Sequence, residues 1–130
     1  MNRTIKFRGK RIDNGQWVYG DLVQCDHDIL ILPINEGWTN HKVIPETVGQ
    51  FTGLLDRNKS EIYEGDIIQV DYIMATGRHF IGLSYEVRWC IQEGSWTAWN
   101  GCSDVALPKP RQILIKGNIH DHPELLNSKQ

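Results

Sequence analysis

The chain of 130 residues is 40% hydrophobic and 23% charged, the balance of a globular domain large enough to bury its own core. Its apolar runs are far shorter than the roughly 20 residues of a membrane-spanning helix, and its first residues lead into a strand pattern instead of a signal peptide. Three widely spaced cysteines argue against a disulfide framework. We therefore expect a cytoplasmic protein with reduced thiols and no membrane association.

Charge is unevenly distributed along the chain. Five of its fourteen basic residues precede the first acidic residue, Asp13, whereas all sixteen acidic residues lie at or after it, and the net charge is -2. Such asymmetry is typical of a docking surface for an anion or an acidic partner.

Residues 5–24 are predicted to form a β-hairpin. The Asn-Gly pair at 14–15 supplies the positive φ angles that a tight turn requires. Because side chains alternate along a strand, Lys6, Arg8 and Lys10 are expected to share one face. Two interpretations stay open. The three cations bind a phosphate or an acidic protein, or they form the solvated face of an edge strand, where lysines discourage edge-to-edge pairing.

The next segment is predicted to contain two short strands and one helical turn. A polar turn at 26–28 precedes an apolar strand at 29–32, and a more polar strand at 38–43 suits a sheet edge. Residues 45–49 begin with proline, continue with an acid and end in glycine, which favours a single helical turn.

Residues 48–70 organise the rest of the chain. They contain three β-prone runs separated by polar breaks, a pattern typical of a β-meander, and the runs are 50–55, 61–63 and 67–70. Together with the many turn residues, they predict an all-β fold, a small antiparallel barrel or sandwich with short helical turns. We expect one domain over 1–130, with the hairpin at 5–24 as a semi-independent appendage.

Glu61, Glu64 and Asp66 lie close together in this stretch and invite an acid–base interpretation. Turn geometry explains the triplet at 64–66 more simply, because glycine permits a sharp turn and aspartate accepts hydrogen bonds from backbone amides within it. We therefore predict a structural turn.

The remaining strands are predicted at 81–91, 96–99 and 113–119, with a mobile loop at 74–79 and a last helical turn from Pro123. Trp96 and Trp99, with Trp89 across a hairpin turn, are candidates for a platform on which a base, a sugar or a peptide stacks. Trp96 and Trp99 face opposite sides of a strand, so one is expected at a surface or an interface. The alternative is core packing together with a homo-oligomer interface.

His120 and His122 are candidate metal ligands, because residues i and i+2 of a strand share a face. A third ligand is missing from the pattern and Pro123 bends the chain, so the alternative is a pair of exposed polar side chains. No metal or other cofactor is assigned. The sequence also contains no phosphate loop, no HExxH helix and no GxSxG elbow, and we expect a protein that is not an enzyme.

Three segments resemble the YopX-like proteins of phages and prophages: 6–23 (KFRGKRIDNGQWVYGDLV), 43–68 (VIPETVGQFTGLLDRNKSEIYEGDII) and 115–126 (IKGNIHDHPELL). They stand in family order and cover somewhat under half of the chain. The resemblance implies a small β-rich, self-associating protein of a phage or prophage, with no established activity and no catalytic residues to carry over. Where such proteins often have Asn-Gly, this chain has Asn58-Lys59-Ser60, which predicts a wider turn.

Three functions follow as hypotheses. The first is a non-enzymatic accessory protein, a self-associating module that binds a host or phage macromolecule. The second is a nucleic-acid-binding barrel, by analogy with SH3-like barrels, in which Lys6, Arg8 and Lys10 contact phosphates while Trp96 and Trp99 stack on bases. The third is a metal-dependent hydrolase at His120 and His122. We adopt the first, because of the family resemblance, the missing catalytic motifs and the five tryptophans. The acidic net charge argues against the second.

Overall fold

The computed structural model describes residues 4–34, 36–37, 39–73, 79–80, 84–101 and 104–126. This part of the chain is built of β-strands and short 3-10 turns, which confirms the predicted all-β class. The strands are β1 Phe7–Lys10, β2 Trp17–Cys25, β3 Asp28–Pro33, β4 His41–Lys42, β5 Gly49–Leu55, β6 Glu61–Tyr63, β7 Asp66–Val70, β8 Tyr72–Ile73, β9 His79–Phe80, β10 Ser84–Cys90, β11 Ser95–Trp99, β12 Asp104–Ala106 and β13 Ile113–Asn118. The 3-10 turns are Pro45–Thr47, Pro110–Gln112 and Pro123–Leu125.

The chain divides into two compact units, residues 1–53 and 54–130, and the division falls inside β5. The expectation of one domain with a semi-independent hairpin stays a prediction. Among the described residues, no helix is long and apolar enough to cross a membrane.

The first unit is an antiparallel sheet with the strand order β4-β3-β2-β1-β5. A bridge between Arg11 and Val43 links the end of β1 to the residue after β4, and the amide of Ile44 donates to the carbonyl of Lys10 at 2.8 Å. The sheet therefore closes on itself through β1 and β4. We call this closed sheet the barrel.

Strand β1 lies inside this sheet, paired with β2 on one side and with β5 on the other. The edge-strand alternative for the cations at positions 6, 8 and 10 is therefore wrong, because both edges of the strand carry hydrogen bonds. The predicted hairpin between β1 and β2 is confirmed, and Gly15 in its turn has a φ of 72°.

Two glycines allow the strands of this unit to approach each other closely. A Cβ added at Gly20 would collide with the backbone of Leu32, and one added at Gly9 would lie 3.0 Å from the Cβ of Val43. Val43 is 1% exposed, and Ile31, also in the first unit, is fully buried. Side chains at positions 9 and 20 would therefore disturb the packing of the barrel.

The second unit is built on a five-stranded antiparallel sheet with the order β12-β11-β10-β7-β13. Its core comprises mostly β-branched and aromatic side chains, as expected for a pleated surface; the members are Ile62, Ile68, Val70, Tyr85, Val87, Ala98 and Ile113.

The predicted β-meander over 48–70 is wrong at its third strand. Strand β6 lies beside β5, but β7 pairs with β10 and β13. Ile67 and Ile68 point to opposite faces of β7, and both are fully buried. A strand that is paired on both edges lies inside a sheet, whereas the last strand of a meander lies at an edge.

Most of the other predicted elements agree with the structure. The apolar strand predicted at 29–32 is β3, and the polar strand predicted at a sheet edge is β4, which lies at the end of its sheet. The helical turns predicted at 45–49 and from Pro123 are 3-10 turns. The 3-10 turn Pro110–Gln112 was missed. Trp38, Cys102, residues 74–78 of the predicted loop over 74–79 and residues 81–83 of the predicted strand over 81–91 lie outside the described residues. The loop prediction is wrong at His79, which belongs to β9.

Candidate functional site

The cations at the start of the chain contact aromatic rings. The Nζ of Lys6 lies 5.3 Å from the centre of the Phe51 ring, while the guanidinium carbon of Arg8 and the Nζ of Lys10 lie 4.7 and 5.7 Å from the centre of the Trp17 ring. Arg8 is only 6% exposed. Cation–π contacts are worth about 0.5–1 kcal/mol and more where water is excluded, so the rings help to fix these side chains. Their role in binding a partner stays a prediction.

The tryptophans of β10 and β11 do not form a single platform. Trp89 and Trp96 are partners in the strand register, and their rings meet edge to face with centres 5.1 Å apart. Alternation places Trp99 on the opposite face of the sheet, where the guanidinium carbon of Arg88 lies 3.7 Å from its ring centre. Arg88 therefore covers one face of the Trp99 ring, which leaves less of it for stacking with a ligand.

The tip of the β10–β11 hairpin exposes large apolar side chains. Ile91 is 84% exposed and Trp89 is 46% exposed, although Cys90 between them is buried. We call Trp89, Ile91 and Trp96 the hairpin tip. The alternation of the sequence predicts that Trp89 shares the face of Val87, but it does not predict that Ile91 is exposed. The only signal for Ile91 is its place directly before the Gln-Glu-Gly turn.

Arg88 and Asp104 form a two-pronged ion pair on the face opposite to the hairpin tip. The Nε and Nη2 atoms of Arg88 each donate to one carboxylate oxygen of Asp104 at 3.0 Å, and the Thr97 hydroxyl oxygen lies 2.7 Å from Asp104 Oδ1. The hydrogen bonds from Arg88 and Thr97 hold the pKa of Asp104 below its ordinary value. These contacts join β10, β11 and β12 by their side chains.

Glu86 is the register partner of Trp99 on this same face. Burial raises the pKa of Glu86, the charge of Arg88 opposes this effect, and the charge of Glu64 adds to it. Carboxyl groups with opposite pKa shifts often mark acid–base sites. Here Asp104 is already bonded to Arg88 and Thr97, so an ion-pair network accounts for its shift.

The turn at 64–66 is structural, as the sequence predicts. Gly65 has a φ of 91°, and Oδ2 of Asp66 accepts a hydrogen bond from the amide of Tyr63 at 2.7 Å. Asp66 is 3% exposed, so its carboxylate serves the backbone of the turn.

Sequence reasoning missed Asp56, which organises the polar break at 56–60. Its Oδ1 accepts hydrogen bonds from the amides of Asn58 and Ser60, both at 2.9 Å, and Oδ2 accepts one from the amide of Ile115 at 3.2 Å. Asp56 is 4% exposed. An aspartate at the start of a turn that contains asparagine was the available signal.

His120 and His122 follow β13 in a turn that Asn118 organises. The Asn118 side-chain oxygen accepts hydrogen bonds from the amides of His120 and Asp121 at 2.9 Å, and Nδ1 of His122 accepts one from the amide of Asn118 at 3.4 Å. Within the described part of the chain, no group of three or more His, Cys, Asp and Glu side chains is arranged to hold a metal ion. Metal binding by the histidine pair stays a prediction.

These features define the molecule as an all-β protein of antiparallel sheets with an aromatic hairpin. The chain belongs to the YopX protein family, whose model matches residues 6–127, and the resemblance noted in three sequence segments is thereby confirmed. A similar solved structure is that of protein EF1440 from Enterococcus faecalis, with 22% identity, a TM-score of 0.58, and coverage of 96% of this chain and 99% of that chain. At this identity the likeness shows the fold alone. A comparison with curated proteins finds no match.

Proposed function

We propose that this protein is a non-enzymatic phage or prophage accessory module that self-associates in the host cytoplasm through its hairpin tip. The observation that carries the proposal is the exposure of Trp89 and Ile91 beside Trp96 on a hydrogen-bonded hairpin. Exposed large apolar side chains cost free energy in water, and tryptophan is enriched in the residues that dominate binding energies. A host or phage protein that binds the module would use the same side chains.

The size of the hairpin tip sets the expected strength of the contact. Standard interfaces bury about 800 Å² per partner, which is more than three side chains provide. We therefore expect a reversible dimer with a dissociation constant on the order of micromolar. Edge-to-face tryptophans are rigid, so little side-chain entropy is lost when they bind.

Light scattering after size-exclusion chromatography tests this proposal. We expect a dimer at protein concentrations of about 100 µM, and we expect Trp89→Ser or Ile91→Thr to convert it to monomer. Ile34→Thr is the matched control, because Ile34 is an isoleucine with 60% exposure in the first unit. Circular dichroism checks that each variant is folded. A monomeric wild type, or a dimer that only Ile34→Thr dissociates, contradicts the proposal.

Nucleic-acid binding by the first unit is the second candidate. The observation that favours it is the row of cations over aromatic rings, with Tyr19 opposite Arg8 in the register and 45% exposed. Phosphate contacts and stacking would come from one sheet face. The acidic net charge of -2 opposes this function.

Binding of labelled single- and double-stranded oligonucleotides over a salt series separates the two functions. If this candidate is right, affinity falls steeply with salt, and Lys6→Gln with Lys10→Gln lowers both the affinity and the salt slope. The control is Lys109→Gln with Lys116→Gln, two exposed lysines of the second unit. Equal loss in both double variants, or no binding at low salt, rejects the candidate.

A further inference from the structure

A cleft of about 260 Å³ lies in the first unit. One wall is the start of the β1–β2 turn, and the other is the segment that leads into β4. The lining residues are Arg11, Ile12, Asp13, Asn40, His41 and Lys42. The amide of Ile12 donates to the carbonyl of Lys42 at 3.0 Å, so the backbone holds the two walls together.

The charges that line the cleft favour an anion. Arg11, Lys42 and, when protonated, His41 line the cleft together with one acid, Asp13. Asp13 is itself bound to Arg11, because Nε and Nη2 of the guanidinium donate to its carboxylate at 3.0 and 2.7 Å. These two bonds hold the pKa of Asp13 below its ordinary value and leave the Nη1 donors of Arg11 outside the pair.

The other two cations have only loose ion pairs. The Nζ of Lys42 lies 3.4 Å from Asp28, with both side chains more than half exposed, and Nε2 of His41 lies 3.6 Å from Glu36. The exposed pair of Lys42 and Asp28 contributes little free energy, so an incoming anion can displace it. Ile12, which is 59% exposed, adds an apolar wall beside the donors.

We propose that this cleft binds a phosphate group, with Arg11 as the oriented donor, Lys42 as a supporting cation and His41 as a second one when it is protonated. The fork of a guanidinium matches phosphate oxygens, and lysine adds a mobile point charge. The volume and the apolar wall fit a phosphate together with the first atoms of its ester group. This site is independent of the self-association proposed for the hairpin tip.

Amide chemical-shift titration with inorganic phosphate, at constant ionic strength in chloride, tests the site on the full chain. We expect saturable shifts at residues 11–13 and 40–42. Arg11→Gln and Lys42→Gln should each weaken binding on the order of tenfold, as the loss of a charge-assisted bond implies. Lys116→Gln is the control and should leave binding unchanged.

A second titration with a nucleoside monophosphate shows whether the cleft takes more than the phosphate. Tighter binding with added shifts at Ile12 indicates that the apolar wall contacts the ester group, and equal affinity indicates recognition of phosphate alone. Shifts that do not saturate with either probe overturn the proposal. Equal affinity in wild type, Arg11→Gln and Lys42→Gln also overturns it.

Discussion

The carboxylate of Asp56 accepts a hydrogen bond from the amide of Ile115 at 3.2 Å, although 59 positions separate the two residues. The same side chain accepts hydrogen bonds from the amides of Asn58 and Ser60 in its own turn. A neighbouring backbone bond, from the amide of Arg57 to the carbonyl of Ile113 at 2.9 Å, runs between the same two segments. The turn at 56–60 is therefore bound to β13 by one buried side chain and by one backbone hydrogen bond.

Replacing Asp56 should destabilise the second unit markedly. In Asp56→Ala three amides lose their acceptor, and we expect a loss of about 2–3 kcal/mol in the free energy of unfolding by urea. Asp21→Ala is the matched control, because Asp21 is exposed on β2, and it should change stability by less than about 0.5 kcal/mol. Equal effects of the two substitutions would show that the Asp56 bonds add little.

The backbone of Lys59 leads to a second prediction. Its φ of 65° lies in the left-handed region, where a side chain is unfavourable. Lys59→Gly should raise the free energy of unfolding by up to about 1 kcal/mol, with part of the gain offset by the greater entropy of the unfolded chain. Asn58→Gly is the control, since Asn58 has no positive φ and its replacement should lower stability. Destabilisation by both glycines would contradict the argument.

The pH dependence of stability reports on Glu86. Burial raises its pKa above the ordinary 4.5, so ionisation of Glu86 opposes folding. As the pH rises from about 4.5, the free energy of unfolding of the wild type should therefore fall relative to that of Glu86→Gln. In more acidic solution both side chains are uncharged, and the two free energies should no longer diverge. Urea unfolding of both proteins between acidic and neutral pH measures this difference. A stability difference between the two proteins that does not change with pH would contradict this argument.

Local turn chemistry accounts for what the sequence predicts well. Gly15, Gly65 and Gly94 all have positive φ at turns that the sequence places correctly, because a few adjacent residues determine each turn. The pairing of β7 depends instead on β10 and β13, two strands that are distant from it in the chain. The same limit applies to Asp56 and Ile115, whose bond has no local signature.

The candidate sites show the same division between local and distant information. Alternation correctly predicts that Trp96 and Trp99 face opposite sides, since strand geometry fixes this at two positions of one element. That Arg88 covers Trp99 and pairs with Asp104 requires the register of three strands. Sequence patterns contain no measure of register over such separations, so the network was missed.

The close approach of strands in the barrel of the first unit depends on Gly9, and this leads to the last prediction. A Cβ at position 9 would lie 3.0–3.1 Å from three atoms of Val43, a stiff β-branched side chain that is 1% exposed. Gly9→Ala should therefore destabilise the protein by about 1–3 kcal/mol through overpacking. Val43→Ala removes the two methyl groups that a Cβ at position 9 would contact, but it leaves a cavity. If the contact is the cause, the double variant should be more stable than the sum of the single effects by at least about 0.5 kcal/mol in urea unfolding. Strict additivity would mean that Gly9 is required for some reason other than its contact with Val43.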